Sequence, residues 1–220
     1  MGYHTEQEEF WSGTFGETYI RRNNNQRLLA SNIALFSAVL KRTEPIKNMI
    51  EFGSNIGLNL KAMKTLIPDL SCAAIEINHQ AAEILREDSF FEEGVEVFEG
   101  SISEYEPGQR YDFVLIKGVL IHMHPQELEH IYDKLYQSSQ RYICMAEYYN
   151  PSPVMVRYHG NDNRLFKRDF AGEFLERYPD VKLLDYGFWY HKDPNFPQDD
   201  ITWFLMEKSG NREESRKENA

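Results

Sequence analysis

The run Glu51-Phe52-Gly53-Ser54-Asn55-Ile56-Gly57 carries the clearest chemistry in this sequence. It follows a short apolar stretch and opens a helical pattern. Its glycines permit a tight turn and close approach of the backbone to a ligand. The spacing is not the G-x-G-x-x-G of dinucleotide sites, which disfavours a pyrophosphate ligand and an NAD-dependent enzyme. Asn55 stands at the centre of the turn, and Asn tolerates left-handed backbone angles better than most residues with a side chain. Glu76-Ile77 ends the next apolar run, nineteen residues after Gly57. A carboxylate there can accept hydrogen bonds from two ribose hydroxyls. Gly100-Ser101-Ile102 follows a third run, and Ser101 can donate or accept. Lys117-Gly118-Val119, leading to His122, follows a fourth, where Gly118 allows close approach. Glycine turns and strand-end carboxylates are common in any fold; their coincidence makes them a candidate nucleoside site.

Four side chains are candidates for proton transfer: His122, Glu147, Tyr148 and His159. Glu147 and Tyr148 directly follow a fifth apolar run and are expected to face a pocket, beside Tyr149. Arg157, Arg164, Lys167 and Arg168 form a basic group able to clamp a carboxylate or phosphate; the plain alternative is a solvated helix start balanced by Asp162 and Asp169. His124, Glu127 and His130 have helical spacing but lack a recognised zinc arrangement, so no metal is expected.

Chemistry of this kind needs a frame that brings distant runs together. The chain has 220 residues, enough for one domain, with 41% hydrophobic and 27% charged residues. Its 24 Lys and Arg against 35 Asp and Glu give a net charge of −11, which argues against a broad phosphate-backbone grip and so against nucleic acid. The longest uncharged apolar stretch, Leu28 to Leu40, is too short to cross a bilayer, and the first ten residues are not a secretory signal. Cys72 and Cys144 sit in apolar runs as buried thiols. A cytoplasmic protein without membrane association is expected.

Strands are expected near 48–52, 71–77, 95–98, 111–116, 141–146, 181–190 and 201–208. Helices are expected near 24–41, 55–66, 78–88, 125–137 and 167–178. Residues 151–163 read as irregular, and Phe10 to Gly16 as a loop or broken helix. Alternating strands and helices imply a mostly parallel seven-stranded α/β sheet, Rossmann-like, with helices on both faces. Ligands of such sheets bind beyond the carboxyl ends of the strands. The organisation expected is a helical lid over 1–47, a core over 48–208 and a disordered tail over 209–220.

The acidic-x-Gly-x-x-x-Gly form of Glu51 to Gly57 resembles that of class I S-adenosylmethionine-dependent methyltransferases. That resemblance implies S-adenosyl-L-methionine as cofactor, adenine beside Ser101 and the methionine part above Gly118, with Trp11 and Phe15 from the lid closing over it. Longer runs, Glu9 to Gly16, Gly118 to His122, Ala146 to Pro151, Arg164 to Gly172 and Asp199 to Phe204, are similar to the pseudaminic acid biosynthesis-associated methylase family. This implies a small anionic acceptor: an acidic nine-carbon sugar, its precursor or its nucleotide-activated form. A methyltransferase for RNA or protein and a non-catalytic module on the same fold stand as alternatives. Oxygen or nitrogen as acceptor atom, and the oligomeric state, stay open.

Overall fold

The computed structural model describes residues 5–23, 25–92, 94–158 and 161–209. Two short helices, α1 (Glu6–Ser12) and α2 (Thr14–Asn23), precede the longer α3 (Gln26–Leu40). Gly13 separates α1 from α2. Thr5 opens α1 with a capping box: Glu8 N–H donates to Thr5 Oγ1 at 3.2 Å, and Thr5 N–H donates to Glu8 Oε2 at 3.1 Å. Asn25 opens α3 by accepting from Leu28 N–H at 2.8 Å.

The body then alternates: β1 (Asn48–Phe52), α4 (Leu58–Leu66), β2 (Ser71–Glu76), α5 (His79–Glu87), β3 (Glu96–Glu99), β4 (Tyr111–Lys117), a 3₁₀ turn (Leu120–His122), α6 (Leu128–Ser138) and β5 (Ser139–Glu147). A hairpin, β6 (Val154–Tyr158) and β7 (Asn161–Lys167), comes next, followed by α7 (Phe170–Arg177), β8 (Val181–Trp189) and β9 (Ile201–Lys208). Seven strands form one sheet in the order β3-β2-β1-β4-β5-β9-β8. The first five pair in parallel, and β9 runs antiparallel between β5 and β8. This is the mostly parallel, Rossmann-like sheet expected from the pattern.

Both faces are covered, which is why β4 reads as an unbroken apolar run, with Phe113 to Ile116 fully buried. On one face Leu35, Phe36 and Val39 of α3 pack with Leu60 and Met63 of α4. On the other, Leu128, Ile131 and Leu135 of α6 pack with Phe170 and Phe174 of α7. The strand order reverses between β1 and β4, so a crevice opens at their carboxyl ends.

Three expectations need correction. Residues 154–158 and 161–167 pair as an antiparallel hairpin instead of an irregular stretch, with Val156 opposite Leu165 and Val154 opposite Lys167. The β-branched Val154 and Val156 favour extended backbone; the prolines and asparagines around them mask that signal. The following helix begins at Phe170, capped by Asp169 accepting from Gly172 N–H at 2.8 Å, so Lys167 ends a strand. Likewise α6 starts at Leu128, leaving Pro125 in the preceding turn.

Candidate functional site

The turn after β1 places the glycine-rich run at the crevice. Gly53 has φ of 75°, and a Cβ there would lie 2.6 Å from Val119 Cγ2. Glycine is therefore required both for the backbone angle and for the contact with the β4 loop. Asn55 takes φ of 48°, the left-handed angle expected of it at the centre of the turn. Its N–H donates to Glu76 Oε2 at 2.6 Å, and Asn78 N–H donates to Glu76 Oε1 at 2.7 Å. Glu76 is buried, and burial pushes its carboxyl up to about 6 against the pull of these N–H donors. Each oxygen keeps acceptor capacity beyond one N–H.

Glu51 lies beneath the turn, fully buried. Asn59, on the first turn of α4, donates to its Oε1 at 2.6 Å. Burial pushes the Glu51 carboxyl up to about 8, opposed by Asn59 and the Lys117 ammonium. Lys117 at the tip of β4 is held below the ordinary lysine range by burial, opposed by Glu51, Asp199 and Glu147.

The loop after β4 is shaped by Glu147. Its Oε1 accepts from the N–H groups of Val119 and Leu120, each at 3.0 Å, and its Oε2 from Ile121 N–H at 3.5 Å. Burial pushes this carboxyl up to about 7. Glu147 was expected to face the pocket as a base. Its carboxylate instead points into the backbone beneath the loop and is not part of the cavity wall. Gly118 has φ of 67°, and the direction its Cβ would take is open space on the cavity side.

One cavity runs along these strand ends. The β3 tip contributes Gly100, Ser101 and Ile102; the β2 tip Glu76 and Ile77; the β1 tip Gly53, Ser54 and Asn55; and the β4 tip Lys117, Gly118 and Val119. Its cover is the N-terminal segment. Trp11 lies against His122, ring centroids 4.7 Å apart, and both line the cavity. Asn78 donates through Nδ2 to the carbonyls of Trp11 at 3.3 Å and Ser12 at 3.2 Å. Its Oδ1 meanwhile caps α5, accepting from Ala81 N–H at 3.1 Å. Glu8 reaches across to Ser101, whose hydroxyl donates to it, and to Ser103 at 3.1 Å.

Several expected residues stand elsewhere. Phe15 stacks on Phe10 at 4.2 Å and backs Trp11 edge-on at 5.3 Å, outside the cavity wall. Gly57 serves as the turn into α4. Tyr148 is half-buried with Lys167 Nζ 4.9 Å from its ring centre, and Tyr149 is exposed beside Phe204. Arg168 Nε donates to Glu173 at 2.6 Å, so its charge is matched. The side chains of Arg157 and Arg164, and all of His159, lie outside the described residues. Among the described residues no group of acids, histidines or cysteines is placed to hold a metal, and no helix is long and apolar enough to cross a membrane.

The sequence reading missed part of the wall. Glu8 falls in a capping-box pattern with Thr5, which carries no sign of a site. Asn59 lies two residues past the glycine run, on the first turn of α4. Asn32 of α3 and Gln198 of the β8–β9 loop meet at 2.8 Å, and Asp199 follows at the rim. Their separation of more than 160 residues leaves no local pattern to read.

Solved structures share this architecture. The magnesium protoporphyrin IX methyltransferase of Synechocystis, with bound S-adenosylmethionine, aligns over 95% of this chain and 100% of its own at TM-score 0.65 and 12% identity. The 1,6-didemethyltoxoflavin-N1-methyltransferase of Burkholderia thailandensis aligns over 92% and 87%, at TM-score 0.67 and 13% identity. The mitomycin 7-O-methyltransferase aligns over 93% of this chain and 61% of its own, at TM-score 0.66 and 14% identity. The chain therefore has the class I S-adenosylmethionine-dependent methyltransferase fold. No family model matches the sequence, and no curated protein matches it in sequence.

Proposed function

We propose that the protein binds S-adenosyl-L-methionine and transfers its methyl group to a small-molecule acceptor. The observation that carries this is the order of groups along the cavity. From β3 to β4 it offers Ser101 and Ile102 for a base, Glu76 for a diol, then the glycine turn and Lys117 for an amino-acid end. Four adjacent strand tips span about 14 Å at ~4.8 Å per strand, the length of an extended nucleoside joined to an amino acid. Three residues lining this stretch, Ser54, Asn55 and Asn59, each hold a buried side-chain oxygen with no hydrogen-bond partner among the described residues. Buried polar groups of this kind are normally paired, and a polar ligand is what would pair them.

When bound, this cofactor supplies an electrophilic methyl group: the acceptor's lone pair bonds to carbon, and sulfur keeps the electron pair of the broken bond. The chain's own residues bind, orient and exclude water. Glu76 accepts from ribose hydroxyls, and Lys117 with Asn59 and Asp199 offers opposite charges and an acceptor to an α-amino carboxylate. Trp11 covers the reacting end. His122 beside it is the group placed to take a proton from an oxygen acceptor; a neutral amine requires no base until after transfer.

For the acceptor, an acidic nine-carbon sugar, its precursor or its nucleotide-activated form is the reading drawn from the sequence resemblance. The neighbours named for N1- and 7-O-methylation show that their common fold serves both nitrogen and oxygen. Against a non-catalytic module on the same fold, Asn55 keeps the turn after β1 at φ of 48° although it carries a side chain where glycine would adopt that angle most easily.

Calorimetry with S-adenosylmethionine and S-adenosylhomocysteine tests the proposal. Wild type is expected to bind both, and Glu76→Ala to weaken both at least about tenfold, as loss of hydrogen bonds to a charged group requires. No binding by wild type would refute it. Mass spectrometry of acidic sugars and their nucleotides after incubation then identifies the acceptor by the gain of one methyl group.

A further inference from the structure

We infer that Glu8, carried on the N-terminal helix, recognises the exocyclic amino group of the adenine and so couples base recognition to lid closure. The inference rests on the cofactor reading above. At the β3 end of the cavity, Ile77 and Ile102 offer apolar surface, and the strand's own terminal acid, Glu99, is not in the cavity wall: it pairs with His79 and Arg86, each at 2.7 Å. The acid comes from the cover instead. Glu8 is 8% exposed, lines the cavity, and sits against both Ser101 and Ser103.

The two carboxylate oxygens divide their work. Oε2 accepts from Thr5 N–H and holds the helix cap. Oε1 accepts from the hydroxyls of Ser101 and Ser103 on the side of the sheet. These hydroxyls lie 2.7 Å from each other, so Ser101 has a second partner ready. An incoming amino group can replace the Ser101 hydroxyl at Oε1 while Ser101 turns to Ser103, and no group is left unpaired. A keto oxygen in place of the amino group would instead face the carboxylate as acceptor against acceptor. The site thus selects adenine over a deaminated base, and does so only with α1 closed. A sheet-borne acid would recognise the base whatever the position of the lid.

The test compares S-adenosylhomocysteine with S-inosylhomocysteine by calorimetry on wild type, Glu8→Gln and Glu8→Ala. Glutamine can keep the capping box, so E8Q leaves the helix start intact. Wild type is expected to prefer the adenosyl compound by about 10- to 100-fold, the range of one hydrogen bond to a charged group. In E8Q the amide oxygen that keeps the cap leaves NH₂ toward the base, a donor that no longer favours the amino group, so the ratio is expected to fall to unity or below. Amide exchange in residues 6–12 is expected to slow on adding S-adenosylhomocysteine to wild type and to change less in E8A. Binding of both compounds with the same ratio in wild type and E8Q would overturn the role of Glu8 and leave the cofactor reading standing. Absence of binding by wild type would overturn both.

Discussion

Replacing Glu147 by glutamine separates two things the wild-type carboxylate does at once: accept from the loop backbone and carry a buried charge. The carboxyl is 4% exposed, and burial raises it from 4.5 to about 7. Each tenfold change in proton affinity is worth about 1.4 kcal/mol, so ionised Glu147 costs the folded state about 3 kcal/mol relative to the unfolded chain. The sign follows from proton binding. The folded chain holds this proton more tightly than the unfolded one, so the contribution to stability is greatest below the unfolded value and declines as pH rises through about 7. Between pH ~5 and ~8 the linkage integral gives a loss of about 2–3 kcal/mol from this group alone.

Glutamine does not titrate, and its carbonyl can accept from Val119 and Leu120 as Oε1 does, at 3.0 Å each. Stability of E147Q relative to wild type is therefore expected to shift in the variant's favour by about 2–3 kcal/mol on going from pH ~5 to ~8. Glu51 and Glu76 titrate in overlapping ranges but are common to both proteins and cancel in the difference. Urea unfolding at a series of pH values, with m-values checked for constancy, measures this directly. A stability gap that stays constant across the range would refute the burial argument. Glu147→Ala supplies the contrast. It strips the acceptor from two well-formed N–H bonds, costing about 1–3 kcal/mol for each donor left unpaired, at every pH.

Two further expectations concern the turn and the lid. Asn55→Ala is expected to be less stable than Asn55→Gly by about 1 kcal/mol, because alanine resists the left-handed angle that glycine adopts freely; equal melting temperatures would contradict the turn. Asn78→Asp keeps the cap on α5 but removes the donor to Trp11 and Ser12 and sets an anion against their carbonyls. Residues 6–23 are expected to exchange amide hydrogens faster while global stability changes by less than about 1 kcal/mol, and unchanged exchange would sink the latch.

The central strands β1, β2, β4 and β5 were legible because parallel strands buried on both faces leave continuous apolar runs, and each of the seven strands falls within a few residues of its expected place. The strand-tip residues Gly53, Glu76, Ser101 and Gly118, which line the cavity, follow from the rule that ligands bind at the carboxyl ends. Glu147 shows the limit of that rule. Position at a strand end does not say whether a side chain enters the crevice or turns under the adjoining loop, and here the unpaired N–H groups of residues 119–121 draw it under. Glu8, Asn32 and Gln198 were out of reach for another reason. They belong to the cover and the far edge of the sheet, and tertiary packing alone brings them to the cavity. The β6–β7 hairpin was hidden by local composition, since prolines and asparagines signal loops whatever strand lies between them.

The same end of the sheet concentrates what stable packing avoids: three buried carboxyls pushed upward, a lysine pushed downward, a left-handed asparagine and unpartnered oxygens on Ser54, Asn55 and Asn59. Natural sequences break local rules of this kind where function requires it. The arrangement costs the free protein stability that a ligand completing the hydrogen bonds can restore. Binding to the folded state alone adds RT ln(1 + [L]/Kd), about 2.7 kcal/mol at a hundredfold excess over Kd. That gain reaches α1 through Glu8, Trp11 and Asn78, which attach the cover to the site and not to the core beneath it. The cover is therefore the element whose order depends most on what occupies the cavity, whereas Phe113 to Ile116 of β4, fully buried between two helical layers, are expected to be indifferent to it.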